Sequence, residues 1–238
     1  MSLSLAQPAM PHAVRLPGWV LALPIALLTL IPVAAVIGVA LSPQPDVWDH
    51  LIRHVLPRVT INTALLMLLV GLGVLLVGVP LAWLTALCEF PGQRFFAWAL
   101  MLPLAFPAYV LAFVQMGLFE FAGPVQSWLR AWFGSSAWFP EIRGSRWGTV
   151  MVLTMAFYPY VYLLARNAFV TQGRRALEAA RTLGHSAPQA FWRVSIPTAR
   201  PRIAGGLMLT LMETVADFGA VAVFNYDTFT TALYKAWF

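Results

Sequence analysis

The chain is poor in the residues that most soluble folds and most enzymes rely on. It has one cysteine in 238 residues, Cys88. That excludes an intrachain disulfide and any cysteine-cluster metal site. Cys88 reads as a small apolar residue at a helix end. Charge is scarce too: charged residues make up 10% of the chain, against roughly 25% in soluble domains. There is no phosphate-binding glycine loop, no nucleophile–base constellation and no internal repeat, so the sequence carries no signature of a nucleotide-hydrolysing or nucleophilic enzyme. What fills the space is apolar: 60% of the residues are hydrophobic and the mean hydropathy is +0.76. A soluble core of this length could not hide so much apolar surface, which makes lipid the solvent. The net charge of +6 does not point to nucleic acid, because the basic residues sit between apolar runs, where they set membrane orientation.

A helix needs about 20 apolar residues to cross roughly 30 Å of hydrocarbon. Trp19–Leu41, Ile61–Leu87, Phe95–Phe119, Trp147–Phe169 and Ile203–Phe224 meet that requirement. The first follows Arg15, but its apolar part of about 24 residues exceeds the roughly 7–15 of a signal peptide, so it reads as a retained helix. Glu89–Arg94 contains Pro91-Gly92 and predicts a tight turn between antiparallel helices. Pro24, Pro32, Pro80, Pro103, Pro107 and Pro159 fall inside apolar segments. There they predict kinks, since neighbouring helices can satisfy freed backbone groups. The last residues, Ala232–Phe238, open another apolar segment. The expectation is therefore an all-α polytopic membrane protein with five visible spans and a sixth cut short, in a fragment or truncated product.

Charge placement orients this array. The loop 171–202 carries Arg174, Arg175, Arg181, Arg193, Arg200 and Arg202 against one acid, Glu178. Arg15, Arg94 and Arg166 fall on the same side. The other side is nearly balanced, with Arg53, Arg58, Arg130, Arg143, Arg146 and Lys235 against Asp46, Asp49, Glu120, Glu141 and Asp227. The bias places the N-terminus and loop 171–202 in the cytoplasm. Trp48, Trp128, Trp132, Trp138 and Trp147 cluster at the opposite boundary as interfacial anchors. Val125–Phe133 is amphipathic enough for a short interfacial helix, packed on the bilayer or contacting a periplasmic partner.

The loop is the densest signal. Glu178-Ala179-Ala180 is followed after three residues by Gly184, and after nine more by Val194-Ser195-Ile196-Pro197. Ala176, Ala179, Ala180 and Leu183 form a small apolar stripe at helical spacing. Arg174, Glu178 and Arg181 share a face. Gly184 suits a C-terminal cap. Ser186-Ala187-Pro188-Gln189 reads as a capping box that starts a second helix bearing Phe191 and Trp192. The result is helix, glycine bend, helix; the plainer alternative is an amphipathic loop lying on headgroups.

This spacing resembles the EAA loop of type-I ABC-transporter permeases. Asn62-Thr63-Ala64-Leu65, Tyr158-Pro159-Tyr160 and Leu163–Arg166 look like further parts of that core. The run Glu213–Ala220, with Phe224–Thr231 and Tyr234–Trp237, resembles the ferric-iron uptake branch. The resemblance implies a permease core over 59–238, incomplete at its C-terminus, after a tail, first helix and outer loop over 1–58. It implies that Glu178, Ala179, Ala180, Gly184, Val194, Ile196 and Pro197 couple to cytoplasmic ABC ATPase subunits. It also implies a periplasmic substrate-binding protein, a second permease half (fused or separate) and a bacterial inner-membrane location. The chain would bind no cofactor itself, ATP being used by the partner, and would be a transport subunit rather than an enzyme. Thiamine, sulfate or a polyamine are alternative cargoes.

Glu213 and Asp217 are the acids inside an apolar segment. Ionised groups at mid-membrane cost at least about 2.5–3.5 kcal/mol, so both should face protein or a wet cavity, on one helix face. With Tyr158 they are the candidate translocation path, suited to a hard cation or a positive gate. The other reading is a packing pair bonded to Tyr158, Thr210 or Thr214. An intramembrane enzyme using the two acids would need a nucleophile or metal ligands that the sequence does not supply. His50 and His54, also four residues apart, read as solvated rather than as a metal site.

Overall fold

The computed structural model describes residues 19–41, 49–135, 139, 142–173, 178–180, 182 and 184–237. Every regular element among them is helical, as the hydropathy pattern predicts. Contacts divide the chain at His50/Leu51. The first unit contains helix α1, Trp19–Ala40, with Pro24 and Pro32 in its interior. Leu28, Ile31 and Val36 stand exposed on it, an arrangement suited to lipid.

The second unit is built on α2, which runs Leu51–Leu87. Its first turn, Leu51–Val55, is a wide π turn, and Leu56–Leu87 is α-helical. A second π turn, Phe191–Ser195, leads into α7, Ile196–Ala216. In both places a proline, Pro57 or Pro197, is the second residue of the α-helix that follows. Proline has no N–H to give the i−4 carbonyl and its ring crowds that oxygen, so widening by one residue relieves the clash. α2 ends at Cys88, whose N–H still reaches Leu84 O. Phe90–Gln93 then makes a turn closed by Gln93 N–H to Phe90 O at 3.1 Å, with Gly92 at φ 84°. This is the Pro-Gly type II turn that the sequence predicts. Gln93 Nε2 pins it to Thr85 O at 2.9 Å.

The third and fifth expected spans are not continuous. Phe95–Phe119 divides into α3, Gln93–Ala99, a 3₁₀ turn, Leu102–Ala105, and α4, Ala108–Phe119. Pro103 and Pro107 remove donors, and Phe106, preceding Pro107, is pushed to φ −112°, ψ 133°. α4 has 12 residues, only about 18 Å. It reaches membrane length only when taken together with α5, Pro124–Phe133, across the turn at 120–123. The fifth segment breaks at Asp217, in extended conformation after α7, and resumes as α8, Gly219–Val223. α9 covers Phe229–Trp237. The interfacial helix expected over Val125–Phe133 is present as α5, stopped by Gly134 at φ 73°.

α6, Arg146–Ala168, is the axis of the unit. Ser145 Oγ caps it by accepting from Trp147 N–H at 3.1 Å, and Val152, Leu153, Val161, Tyr162 and Ala165 are fully buried. It packs between α2 and α7, and two glycines make that possible. A Cβ on Gly78 of α2 would lie 3.0 Å from Tyr158 O, and one on Gly206 of α7 would lie 2.8 Å from Val161 Cα. Without a hydrophobic drive between helices in lipid, such close backbone approach supplies the packing energy.

Gly206→Leu should therefore force α7 off α6, costing at least the ~1–3 kcal/mol of an overpacked core. Gly205→Ala is the control, because a Cβ there meets nothing nearer than Leu164 Cδ1 at 3.8 Å. Thermal unfolding in detergent should fall by several degrees for Gly206→Leu and not for Gly205→Ala. Equal melting of the two would refute tight α6–α7 packing.

Candidate functional site

Two places carry the sequence-predicted residues, and α7 joins them. The first is the loop. Ala180 is 3% exposed and Ala190 0%, packed together with Leu87 and Val194. Glu178 and Ala179 are exposed. Of the expected stripe, Ala179 is exposed and Ala180 turns inward, its methyl filling the small space between the loop's two helical pieces and the end of α2. Ala176, Leu183, Arg174, Arg175 and Arg181 lie outside the described residues. Gly184 takes φ 83°, and His185 N–H reaches back to Ala180 O at 3.0 Å, the bond of a left-handed C-terminal cap. Ser186 N–H donates to Gln189 Oε1 at 3.2 Å, one arm of the expected capping box. Val194 and Ile196 are half-buried against the cores, and Pro197 sets the wide turn described above.

Phe191 anchors the second helical piece by its edge-on ring contact with Trp83, 5.1 Å between centroids. Its neighbour Trp192 is 69% exposed, a surface aromatic that the motif itself does not single out. Thr171 and Arg202, at the two ends of the loop, are joined by Arg202 Nη1 donating to Thr171 Oγ1 at 2.9 Å. At its root, Trp83 Nε1, Arg166 Nε and Ser195 Oγ are buried without hydrogen-bond partners among the described residues. Each such group costs on the order of 1–3 kcal/mol.

The second place is a cavity of about 340 Å³ where the two helix breaks face each other. Pro103–Ala108 forms one wall; Ala156, Phe157 and Tyr160 of α6 form another; Glu213 and Asp217 complete it. The two acids therefore do share one space, but their roles separate. Asp217 Oδ1 accepts from Ala220 N–H at 2.9 Å and Val221 N–H at 3.2 Å, capping α8. Glu213 has no hydrogen-bond or ion-pair partner among the described residues. Tyr158 does not line the cavity. Its hydroxyl donates to Leu100 O at 2.9 Å, and Tyr162, one turn on, donates to Ala97 O at 3.0 Å. Both carbonyls belong to the broken end of α3, and a break in lipid must be satisfied by protein. Thr210 and Thr214 bond back to carbonyls of their own helix. None of the three partners expected for a polar seam touches the acids. Tyr160 is the cavity tyrosine that the sequence reading passed over. Its place two residues from Tyr158 on the broad buried face of α6 gave no periodic signal to separate them.

At the opposite end from the loop, the run at 224–231 forms a clasp. Asn62 Nδ2 donates to Asp227 O at 3.0 Å, Phe229 N–H to Thr63 Oγ1 at 3.2 Å, and Arg146 Nε to Tyr226 Oη at 3.1 Å. Asp227 also pairs with Lys235 at 2.7 Å and Arg58 at 3.7 Å. Thr230 Oγ1 donates to Asp217 O at 2.8 Å, linking the clasp to the helix break. Among the described residues no three His, Cys, Asp or Glu side chains gather as a metal site.

A helical bundle with lipid-length apolar segments, two interrupted helices around an acidic cavity and a folded polar bend at one end defines a polytopic membrane protein of the transport-permease type. Residues 78–234 match the binding-protein-dependent transport system inner membrane component family, and the chain belongs to it. Similar proteins include the Fe(3+)-transport system permease protein FbpB 2 of Haemophilus influenzae, 29% identical over 79% of this chain and 33% of that protein. The sulfate transport system permease protein CysW of Escherichia coli K12 is 32% identical over 63% of this chain and 49% of its own length. The molybdenum transport system permease protein ModB of Haemophilus influenzae is 29% identical over 60% of each. The chain thus spans less than two thirds of these relatives, and they do not single out the iron branch.

The division between the acids has a stability signature. Asp217→Ala removes the α8 cap and should cost about 1 kcal/mol, whereas Asp217→Asn keeps an acceptor and should be nearly neutral. Glu213→Gln should leave the unfolding midpoint unchanged. A Glu213→Gln variant that melts as early as Asp217→Ala would show that Glu213 is structural.

Proposed function

We propose that this chain is a membrane-spanning permease subunit of an ABC importer, not an enzyme, lying in the bacterial inner membrane with its N-terminus in the cytoplasm. Its core is 59–238 and its coupling loop 171–202. Cytoplasmic ATPase subunits dock on that loop, a periplasmic binding protein delivers the cargo, and a second permease half, fused or separate, completes the path. One observation carries the reading: the bend at Gly184 is packed on its inner side against Leu87 and Trp83 of α2 and against Val194 of the turn leading into α7, while Glu178, Ala179 and Trp192 stand exposed on it. A rigid projection with a docking face is what coupling to a moving ATPase requires. Hydrolysis of ATP belongs to the partner.

For the cargo we propose ferric iron. Glu213 faces the cavity uncompensated among the described residues, and a carboxylate there attracts a hard cation and repels sulfate or molybdate. The similarity to an iron permease over 79% of the chain supports the same choice. Sulfate stays the second reading because CysW is equally similar over its shorter stretch.

Glu178→Lys and Gly184→Ala should each reduce ATPase co-purification and transport in the complete transporter while membrane abundance holds; Gly184→Ala acts by straining a left-handed backbone. Normal coupling in both would overturn the docking role. Glu213→Gln should cut radiolabelled iron uptake at least about tenfold, roughly 1.4 kcal/mol in barrier terms, with ATPase binding intact. Unchanged iron uptake, or uptake of sulfate instead, would remove the iron assignment. Topology is checked separately. In a cysteine-free background, a cysteine at Ser127 should react with an impermeant thiol reagent in intact spheroplasts, and one at Ser186 only after permeabilisation.

A further inference from the structure

A cavity of about 620 Å³ lies at the end of the bundle opposite the loop, between the end of α4, helix α5 and the segment before α6. Its floor is apolar, formed by Met116, Phe139 and Ile142, and among the described residues its rim carries Arg130 and Arg143 with one acid, Glu120. Nothing in the transport reading uses it. The two guanidinium groups are held in place. Arg130 lies 4.2 Å over the Phe121 ring and donates to Ser127 Oγ at 3.2 Å. Arg143 reaches only the soft sulfur of Met116, at 3.9 Å, and has no carboxylate within ion-pair distance among the described residues. Buried Gln126 braces the wall by donating to Phe119 O at 2.8 Å.

The surroundings say which medium this rim meets. Trp128 and Trp132 are paired on α5, 5.6 Å between ring centroids. With Phe121 and Phe133 they are exposed by 56–72%. Three large aromatics left open on a short amphipathic helix, with Phe121 in the turn before it, suit the headgroup layer, where tryptophan settles and such helices lie flat. An apolar floor beneath a cationic rim fits an amphiphile. A small soluble anion would leave the floor empty, and an acidic protein segment has no use for the aromatic apron.

We propose that this cavity binds the phosphate headgroup of an anionic phospholipid, with Arg143 and Arg130 on the phosphate and the glycerol and upper acyl carbons over Met116 and Phe139. Guanidinium groups match phosphate oxygens in paired geometry. Basic pockets between membrane helices take anionic headgroups on the same principle. The bound lipid would fix the depth of α5 and so the attitude of the α4–α5 pair.

The test is native mass spectrometry of the full transporter from nanodiscs containing phosphatidylglycerol or phosphatidylcholine. Wild type should retain phosphatidylglycerol in preference. Arg143→Gln should lower that retention about tenfold, as expected for losing a charge-assisted pair, and Arg143→Lys by less. Arg58→Gln, whose partner Asp227 lies in the clasp and not in the cavity, should change nothing. An unchanged unfolding temperature for Arg143→Gln separates lost binding from lost fold. Equal retention of the two lipids, or no loss in Arg143→Gln, would overturn the proposal. So would displacement of the lipid by millimolar inorganic phosphate, which would make the site a soluble-anion site. Loss of binding-protein docking with lipid retention unchanged would assign the cavity to a protein partner instead.

Discussion

Inside a bilayer a backbone amide has no water to fall back on, and this chain interrupts two of its helices within membrane-length segments. The rest of the second unit is arranged around that constraint. At the first break, two tyrosine hydroxyls from one face of α6 take the carbonyls of Ala97 and Leu100. At the second, the carboxylate of Asp217 takes two amides of α8 and its own carbonyl accepts from Thr230. The breaks are thereby fixed features, and the irregular backbone lines a cavity. α6 can serve both its neighbours because Gly78 and Gly206 bring α2 and α7 against its backbone.

This arrangement sorts polar residues that look alike in sequence. Glu213 and Asp217 are four apart on one helical face, but the helix ends between them. The carboxylate past the end becomes a cap, and the one before it stays available to the cavity. Tyr158 and Tyr160 are separated by the same geometry, one spent on a carbonyl and one lining the cavity. The run from Phe224 to Thr231 is drawn into the clasp with Asn62 and Thr63, so two stretches far apart in sequence answer to one structural need. Tyr226, Thr228 and Thr231 are buried there, which leaves the cargo question to Glu213.

The helical class, the Pro-Gly turn, the short helix at Val125–Phe133 and the glycine-capped bend were all legible in the sequence. Each rests on a local cause: hydropathy, a φ that only glycine reaches easily, a capping side chain. The two breaks were not. Pro103 and Pro107 look the same on paper as Pro80 and Pro159, which remain inside continuous helices. What differs is tertiary: Tyr158 and Tyr162 stand ready opposite the first pair to take the freed carbonyls. The inward turn of Ala180 was hidden for a related reason. Its periodicity identifies an apolar stripe but not whether the stripe is covered by another protein or by Leu87, Ala190 and Val194 of the same chain.

The two candidate places are joined by one rod. Pro197, where the loop ends, and Glu213, at the cavity, lie on the same uninterrupted α7. Sixteen residues separate them, about 24 Å of helix. Near its middle the rod meets α6 at Gly206, where backbone lies against backbone. The bend reaches the rod through the turn Phe191–Ser195 that runs into it; the Phe191–Trp83 contact holds that turn to α2, and the Arg202–Thr171 bond ties the rod to the start of the loop. The polar atoms at the root of the loop that are buried without a partner among the described residues, Ser195 Oγ among them, lie beside this junction. In the proposed importer, the rod that links the loop to the cavity is therefore the same helix whose packing on α6 depends on Gly206.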